Sequence, residues 1–532
     1  MRTQKSHKEV ILLFLVIAVS CSLLLIKTFF FNEFGSDDAN MASLSLSILK
    51  GNIAIPFLGN FLESSQYFFA SPPLHSALTA IVFKLLGVSY LTSKFVSIFF
   101  TLIGLIFIAV YCYRTIGFLP ALAVTGLTAF DYILFCSAGW NRPDTISVFF
   151  ATLAAMLLIE SEKRGSLRLL FFSGIFSGIT ILSSYRSIWL FMAFFGYCVY
   201  LFVSNGFKDT FKKALVYLLP AAVITIPWFS WIMTDNLRRS IFLMQVSGCT
   251  ASANGYSIAQ IMRSILNPAA DLYLAAFRDH SPFPVIVLLL YIYFLRDIKR
   301  NIYQFLLLTA SLIMLIFNLR GAYNLIAIIP FCYIQFGYTL KSLSGRMKSR
   351  LLEKVIYACI GIAVLAGLVY DIRLAFRRPD ITLDSKYCGS LLDKYTEDGS
   401  RIATDPVFVF ADCGDRKTMD IGLLIWDHFR KKYNDYSEMT EKVVDADYII
   451  LSERMKKWGE LPISQSADFQ KYLKEKCTLV KEVDDGFHGP FWIYEAHRPE
   501  SRSFSSSERN PAPTLRGRDK TDRATSQSGY LR

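Results

Sequence analysis

The sequence predicts a polytopic α-helical membrane protein with a small α/β domain after its last span, and three observations carry this. The 532 residues are 53% hydrophobic and only 19% charged, with a mean hydropathy of +0.38. Soluble domains carry about 25% charged residues. The apolar excess falls in long runs, each near the roughly 20 residues a helix needs to cross a bilayer core. Beyond residue 372 the apolar stretches become short and strand-like.

In chain order the spans fall at 9–31, 93–113, 118–138, 144–160, 167–184, 187–204, 212–233, 283–297, 301–319, 321–340 and 353–371, about eleven in all. The basic start Met1–Val10 precedes an apolar run that continues well past Cys21, which reads as an uncleaved signal anchor. With the N-terminus cytoplasmic, the inner loops carry Arg114, Lys163 to Arg168, Lys208 with Lys212 and Lys213, Arg296 with Lys299 and Arg300, and Lys341 to Lys354. Cations gathered on one side follow the positive-inside rule. The net charge of +13 therefore belongs to topology, and nucleic acid is excluded as a partner.

Segment 72–90 is apolar but short and carries His75 and Lys84. Counting it as a span inverts everything after it, so it is expected to lie along the outer surface as a juxtamembrane helix. The expected organisation is a transmembrane domain over 1–371, with outer loops 32–92 and 234–282, then an extracytoplasmic α/β domain over 372–498. In the latter, residues 401–410, 447–451 and 491–494 read as strands and 419–433 as a helix. Residues 499–532, rich in Ser, Arg, Pro and Thr, read as a disordered tail.

Asp37 and Asp38 follow the first span directly, and paired acids beside lipid are costly unless they have work to do. The topology gathers them on the outer face with His75, Arg142, Asp144, Arg186 and Arg320. The chemistry that fits is transfer from a phosphate-activated lipid. A carboxylate acts as general base on an acceptor hydroxyl as it attacks an anomeric carbon. Arginine offers a planar fork to the departing phosphate. Asp37 is the base candidate, and Arg186 and Arg320 are candidate phosphate clamps. Asp144 or Asp38 holds a divalent ion or the acceptor, so a metal ion is a possible cofactor, with His75 as a second possible ligand.

The order Asp37-Asp38 … Gly51, then Ser71-Pro72-Pro73-Leu74 and Leu85-Leu86-Gly87, then Trp140-Asn141-Arg142-Pro143-Asp144, resembles membrane glycosyltransferases of the GT-C superfamily. The group most similar is the bacterial branch of protein O-mannosyltransferase-like and aminoarabinose-lipid A transferase-like enzymes. The likeness covers roughly residues 9–345. It implies an inverting transferase of the plasma (bacterial inner) membrane that takes a sugar from a polyprenyl-phosphate donor. The acceptor is a lipid, a glycan or a protein. By this likeness Asp37 matches the catalytic aspartate, with Asp38 beside it. Arg142 and Asp144 match the second outer loop, and Arg320 with Tyr323 a basic–aromatic pair near the lipid phosphate. Three departures stand out: Asp38 replaces a glutamate, Ser71 stands where a lysine usually precedes Pro-Pro-Leu, and Tyr185-Arg186 stands where relatives carry a lysine.

The rival readings are a lipid or glycan transporter and a non-catalytic subunit of an envelope-glycan complex. Transporters show internal repeats and ionisable groups in mid-span; no clear repeat is seen, and the candidate site residues lie at outer span ends. Asp131 inside span 118–138 is an intramembrane acid and by that fact a functional candidate beside the lipid cavity. Asp405, Asp412 and Asp415 read as a solvated acidic loop. Cys388, Cys413 and Cys477 share the C-terminal domain and leave one disulfide open.

Overall fold

The computed structural model describes residues 7–30, 36–53, 71–250, 281–296, 301–317, 326–345, 349–376, 385–410, 417–420, 446–453, 473–484 and 490–497, with isolated positions between. Residues to Ala496 form one compact unit. Of the expected helix at 419–433, Met419 and Asp420 instead end a strand, Lys417–Asp420, while 421–433 and the tail from 499 lie outside the described residues.

The helices in order are α1 His7–Phe30, α2 Ser36–Leu49, α3 Leu74–Leu86, α4 Tyr90–Ile116, α5 Phe118–Ala129, α6 Tyr132–Ala138, α7 Asp144–Arg164, α8 Leu167–Ser183 and α9 Trp189–Asn205. They continue as α10 Phe207–Met233, α11 Asn236–Thr250, α12 Phe283–Arg296, α13 Ile302–Phe317, α14 Ile329–Ser344, α15 Arg350–Ala375 and α16 Ser385–Tyr395. A single 3₁₀ turn, Tyr185–Ile188, joins α8 to α9. Among the described residues α1, α4, α7, α10 and α15 are long and apolar enough to cross a membrane, and α5 with α6 makes a sixth span bent by 56°. Helices α3, α8, α9 and α12 are apolar but run 13, 17, 17 and 14 residues.

Segment 118–138, read as one span, is thus a broken one, and Asp131 is the reason. It leaves helical geometry at φ −78°, ψ 121°, and its carboxylate caps α6 by accepting from the N–H groups of Ile133 and Leu134. A mid-membrane helix start needs such a cap, since no water is there to satisfy its first N–H groups. The break is held from outside by α15, where a Cβ on Gly367 would lie 2.2 Å from the Phe130 carbonyl oxygen. Only a residue without a side chain permits that approach. Gly367→Val is expected to force α15 off the break and cost about 3 kcal/mol or more, read as a lowered Tm in detergent; an unchanged Tm would contradict this packing. Small residues serve α8 in the same way: a Cβ on Gly174 would strike the Tyr217 carbonyl of α10 at 2.1 Å.

The bundle core runs through α14, whose Ile329, Phe331, Cys332, Tyr333 and Ile334 are fully buried. One end of the bundle is cationic. There Lys163 and Arg164 pair with Glu160, Lys213 pairs with Glu162, and Lys341 donates to the Thr115 carbonyl. These contacts join the C-terminal ends of α4, α7 and α14 to the start of α10, which agrees with the basic loops expected to share one side.

The C-terminal strands β1 Arg401–Thr404, β2 Lys417–Asp420, β3 Tyr448–Ser452, β4 Cys477–Val483 and β5 Phe491–Ala496 form one sheet in the order β2-β1-β3-β5-β4. The pairs β1–β2 and β1–β3 are parallel, and β3–β5 and β4–β5 antiparallel. Strand β4, all but exposed beyond Cys477, gave no alternating apolar signal and was not anticipated. The segment after Thr404 folds into a 3₁₀ turn rather than continuing the strand. Cys388 and Cys477 are both buried, and Cys413 lies outside the described residues. Asp405 is fully buried and accepts from the Ser452 hydroxyl at 2.6 Å, which corrects its reading as part of a solvated loop. Asp412 and Asp415 lie outside the described residues.

Candidate functional site

At the end of α4 and α7 opposite the cationic loops, four separate segments meet. Helix α2 supplies Asp38, α3 supplies His75, and the turn between α6 and α7 supplies Asn141 and Arg142, followed by Asp144 at the start of α7. Asp38 is 3% exposed. It is gripped twice by Asn141: its carboxylate accepts the backbone N–H, and its carbonyl accepts the side-chain amide at 3.1 Å. Burying a carboxylate is costly unless donors replace its water, and Asn141 is placed to do that.

His75, fully buried, completes the chain with a 2.9 Å hydrogen bond between its Nε2 and the Asn141 Oδ1. Because that oxygen can only accept, Nε2 carries the proton. Burial lowers the His75 pKa to about 4, against smaller opposing effects of Asn141 and Asp144, so the ring is neutral at neutral pH. Neutral His75 therefore holds Asn141, and Asn141 holds Asp38.

Arg142 and Asp144 form an ion pair, Nε to Oδ2 2.8 Å, with side chains only 18% and 6% exposed. The guanidinium also lies over the Trp140 ring, 5.4 Å from its centroid. Pro143 between them is the N-cap of α7, where its missing N–H costs no intrahelical hydrogen bond. Asp144 then falls in the first turn, at the positive end of the helix dipole. The Ser97 hydroxyl of α4 donates to the Arg142 carbonyl at 3.2 Å and ties the turn to the bundle.

Beneath this platform lies a largely apolar pocket between α4, α5, α6, α7 and residues 326–330. Phe100, Phe107 and Phe149 give it an apolar wall, and Thr145, next to Asp144, stands at its lining with Thr152. Helix hydroxyls in this protein ordinarily donate to a carbonyl one turn back, as Thr101 and Thr128 do at 2.8 Å on the same cavity wall. The buried hydroxyls of Thr145 and Thr152 have no hydrogen-bond partner among the described residues.

The expected site residues divide accordingly. Asp38, His75, Arg142 and Asp144 come together. Asp37 lies on the first turn of α2, but its side chain is outside the described residues, as is that of Arg186; Arg320 and Tyr323 are outside them altogether. Tyr185 lies in an aromatic cluster with Phe69, Trp231 and Phe242, where its hydroxyl accepts from Trp228 Nε1 at 3.2 Å. Asp131 is wholly engaged: besides the cap, its Oδ2 accepts from Ser281 at 2.7 Å and Tyr333 at 2.6 Å. No group of three metal-ligating side chains occurs among the described residues. His75 Nε2 faces Asn141 and one Asp144 oxygen is paired with Arg142, while the Asp37 side chain lies outside the described residues. Asn141 was missed on the sequence, where a buried asparagine in a turn carries no signal by type.

The C-terminal sheet region reaches the same site. Phe410 packs edge-on against Phe83 of α3 and Tyr90 of α4, at 6.1 and 4.7 Å between ring centroids. With Val409 it joins the cluster formed by Ala39, Ala42 and Leu44 of the helix that carries Asp38.

Residues 70–231 match the family model of dolichyl-phosphate-mannose-protein mannosyltransferases. No curated protein matches in sequence. Among solved structures, ArnT from Cupriavidus metallidurans bound to undecaprenyl phosphate is 13% identical, with a TM-score of 0.54 over 92% of this chain and 99% of that one. The oligosaccharyltransferase AglB from Archaeoglobus fulgidus, in complex with an inhibitory peptide and a dolichol-phosphate, is 12% identical, with a TM-score of 0.54 over 85% and 70%. The fold thus agrees with the resemblance seen in the sequence: this chain is a multi-pass membrane protein with the fold of the GT-C glycosyltransferases, and its residues 70–231 are similar to the dolichyl-phosphate-mannose-protein mannosyltransferase model.

Proposed function

We propose that this protein transfers a sugar from a polyprenyl-phosphate carrier to a lipid, glycan or protein acceptor, at the end of the bundle away from the cationic loops. The observation that carries this is the meeting of the Asp38 segment with the buried Arg142–Asp144 pair directly above an apolar cavity. A lipid phosphate donor has those two parts, a charged head and an apolar chain.

In the reaction, Asp37 removes the proton from the acceptor hydroxyl as that oxygen attacks the anomeric carbon. The bond from that carbon to the phosphate oxygen breaks, with inversion, and the polyprenyl phosphate leaves. Arg142 faces the negative charge that develops on the leaving phosphate, and its planar fork suits two phosphate oxygens. Arg186 and Arg320 are proposed to share that role, Tyr185 and Tyr323 to flank it, and Asp144 to keep Arg142 in position. Asp38, buried and with one carboxylate oxygen accepting from the Asn141 N–H, aims the first turn of α2 rather than acting on a proton itself. A plasma-membrane location with the site facing outward follows from the cationic end lying opposite.

Asp37→Asn is expected to insert and fold normally but to lower transfer by about a thousandfold, scored as release of free polyprenyl phosphate from purified protein given a panel of polyprenyl-phosphate sugars. Undiminished release would remove Asp37 as the base, and no release by the unaltered protein on any donor would favour the transporter or non-catalytic readings. We further propose that the C-terminal region selects the acceptor, through Phe410 against α3 and α4. Phe410→Ala should then change the ratio of rates between two acceptors by about tenfold, whereas an equal effect on both would assign Phe410 to packing alone.

A further inference from the structure

We propose that Thr145 and Thr152 of α7 recognise the carbon–carbon double bonds of the donor's isoprenoid chain, Thr145 at the unit next to the phosphate and Thr152 at a unit deeper in the bundle. This rests on the proposed reading of the site and names the feature of the donor lipid that its pocket selects.

Both threonines line the pocket beneath the Arg142–Asp144 pair and are buried, at 6% and 2% exposed. Neither hydroxyl has a hydrogen-bond partner among the described residues. Thr152 stands in mid-helix with the Val148 carbonyl one turn back, the kind of acceptor that Thr101 and Thr128 use from the same pocket wall, yet it does not donate there. A buried hydroxyl left unsatisfied is costly, whereas valine fills the same shape without that cost. Two such groups on one pocket point to an occupant that meets both.

That occupant is largely hydrocarbon. The wall around the two hydroxyls is made by Phe100, Phe107, Val148 and Phe149, which offer nothing to a charged or heavily hydroxylated molecule. The pocket also borders the membrane, because Phe99 and Ile106 of α4, each next in sequence to a wall residue, are exposed on a helix long enough to span.

A saturated chain has nothing for a hydroxyl to donate to. A polyprenyl chain carries a double bond in every isoprene unit, and an alkene π face is a weak acceptor, as an aromatic face is. Thr145 and Thr152 lie two turns apart along α7, about 10.5 Å, so they meet different units of one extended chain. Thr145 follows Asp144, whose carboxylate holds Arg142 at 2.8 Å. A phosphate on Arg142 therefore puts the first isoprene unit at Thr145, and the chain continues along α7 to Thr152.

The test is binding by the full-length protein in detergent, read as the rise in Tm across a titration of each lipid. Three probes are used: undecaprenyl phosphate, its form with only the unit next to the phosphate saturated, and its fully hydrogenated form. The unaltered protein should bind the first about two- to fivefold more tightly than the second, and the second more tightly than the third by a similar factor, as weak contacts of this kind allow. Thr145→Val should abolish the first difference and keep the second, and Thr152→Val should do the reverse. Thr145→Ser, which retains the hydroxyl, should keep both. Without lipid, neither valine variant should melt below the unaltered protein, because each removes an unsatisfied group rather than a contact.

Equal affinity of the unaltered protein for all three lipids, or differences that survive both valine substitutions, would overturn the inference and leave the donor reading standing. A clearly lowered lipid-free Tm in either valine variant would also overturn it, since that hydroxyl would then belong to the fold. No rise in Tm with any of the three lipids would remove the polyprenyl-phosphate donor along with it.

Discussion

Arg142→Ala is expected to reduce sugar transfer by at least about a hundredfold, the loss found when one preorganised charge donor is removed from a transition state. The expectation follows from its surroundings. The side chain is largely buried, held by Asp144 at 2.8 Å and backed by the Trp140 ring, so its orientation is set before any ligand arrives. A preorganised guanidinium costs little reordering when charge develops on the phosphate. Removing it also leaves Asp144 without its ion pair, so loss of activity must be separated from loss of fold. Arg142→Lys does this. It keeps the charge and most of the pairing with Asp144, but it gives up the planar fork, and Arg and Lys are not interchangeable at such a site. Lysine should therefore preserve Tm within a few degrees and still lose most of kcat. Full activity with lysine would show that only a point charge is needed there, and full activity with alanine would remove Arg142 from the reaction.

Asp131→Ala is expected to be the most damaging single change to the fold. Four donors lose their acceptor together: the N–H groups of Ile133 and Leu134, and the hydroxyls of Ser281 and Tyr333. A lost N-cap costs about 1 kcal/mol, and each buried hydroxyl left unsatisfied about 1–3 kcal/mol, so a total near 3–5 kcal/mol is expected. The measurable result is failure to recover folded protein from membranes, or a Tm lower by well over 5 °C. Asp131→Asn keeps one acceptor oxygen and should fall between alanine and the unaltered protein. If alanine melts like the unaltered protein, the broken span is held by something other than this carboxylate. The same result would reopen the reading of Asp131 as a group lining the lipid cavity, which its four hydrogen bonds now explain as structural.

Much of this protein could be read locally. Long apolar runs located the described spans within a few residues, because crossing a bilayer demands a fixed length of helix whatever its neighbours. Cations at one end of α4, α7 and α14 were legible for the same reason, since the charge asymmetry is imposed by the membrane rather than by packing. The turn at Trp140 to Asp144 was also visible: proline after arginine starts a helix, and the acid beside it suits the first turn.

Other features had no local signature. Asp131 reads as an acid in a span, and nothing nearby shows that it breaks that span, because two of its partners stand 150 and 202 residues away at Ser281 and Tyr333. Tyr185 shared a plausible motif with Arg186, yet packing placed it among Trp228, Phe229 and Phe242.

The sequence by itself determined a membrane bundle with acids at one end and cations at the other, because hydropathy, helix length and charge act over a single turn or span. Only the tertiary structure decided that Asn141 joins Asp38 across 103 residues and that His75 holds Asn141. Those pairings depend on which helix packs beside which, and that order arises from the fit of whole faces rather than from any residue's own chemistry.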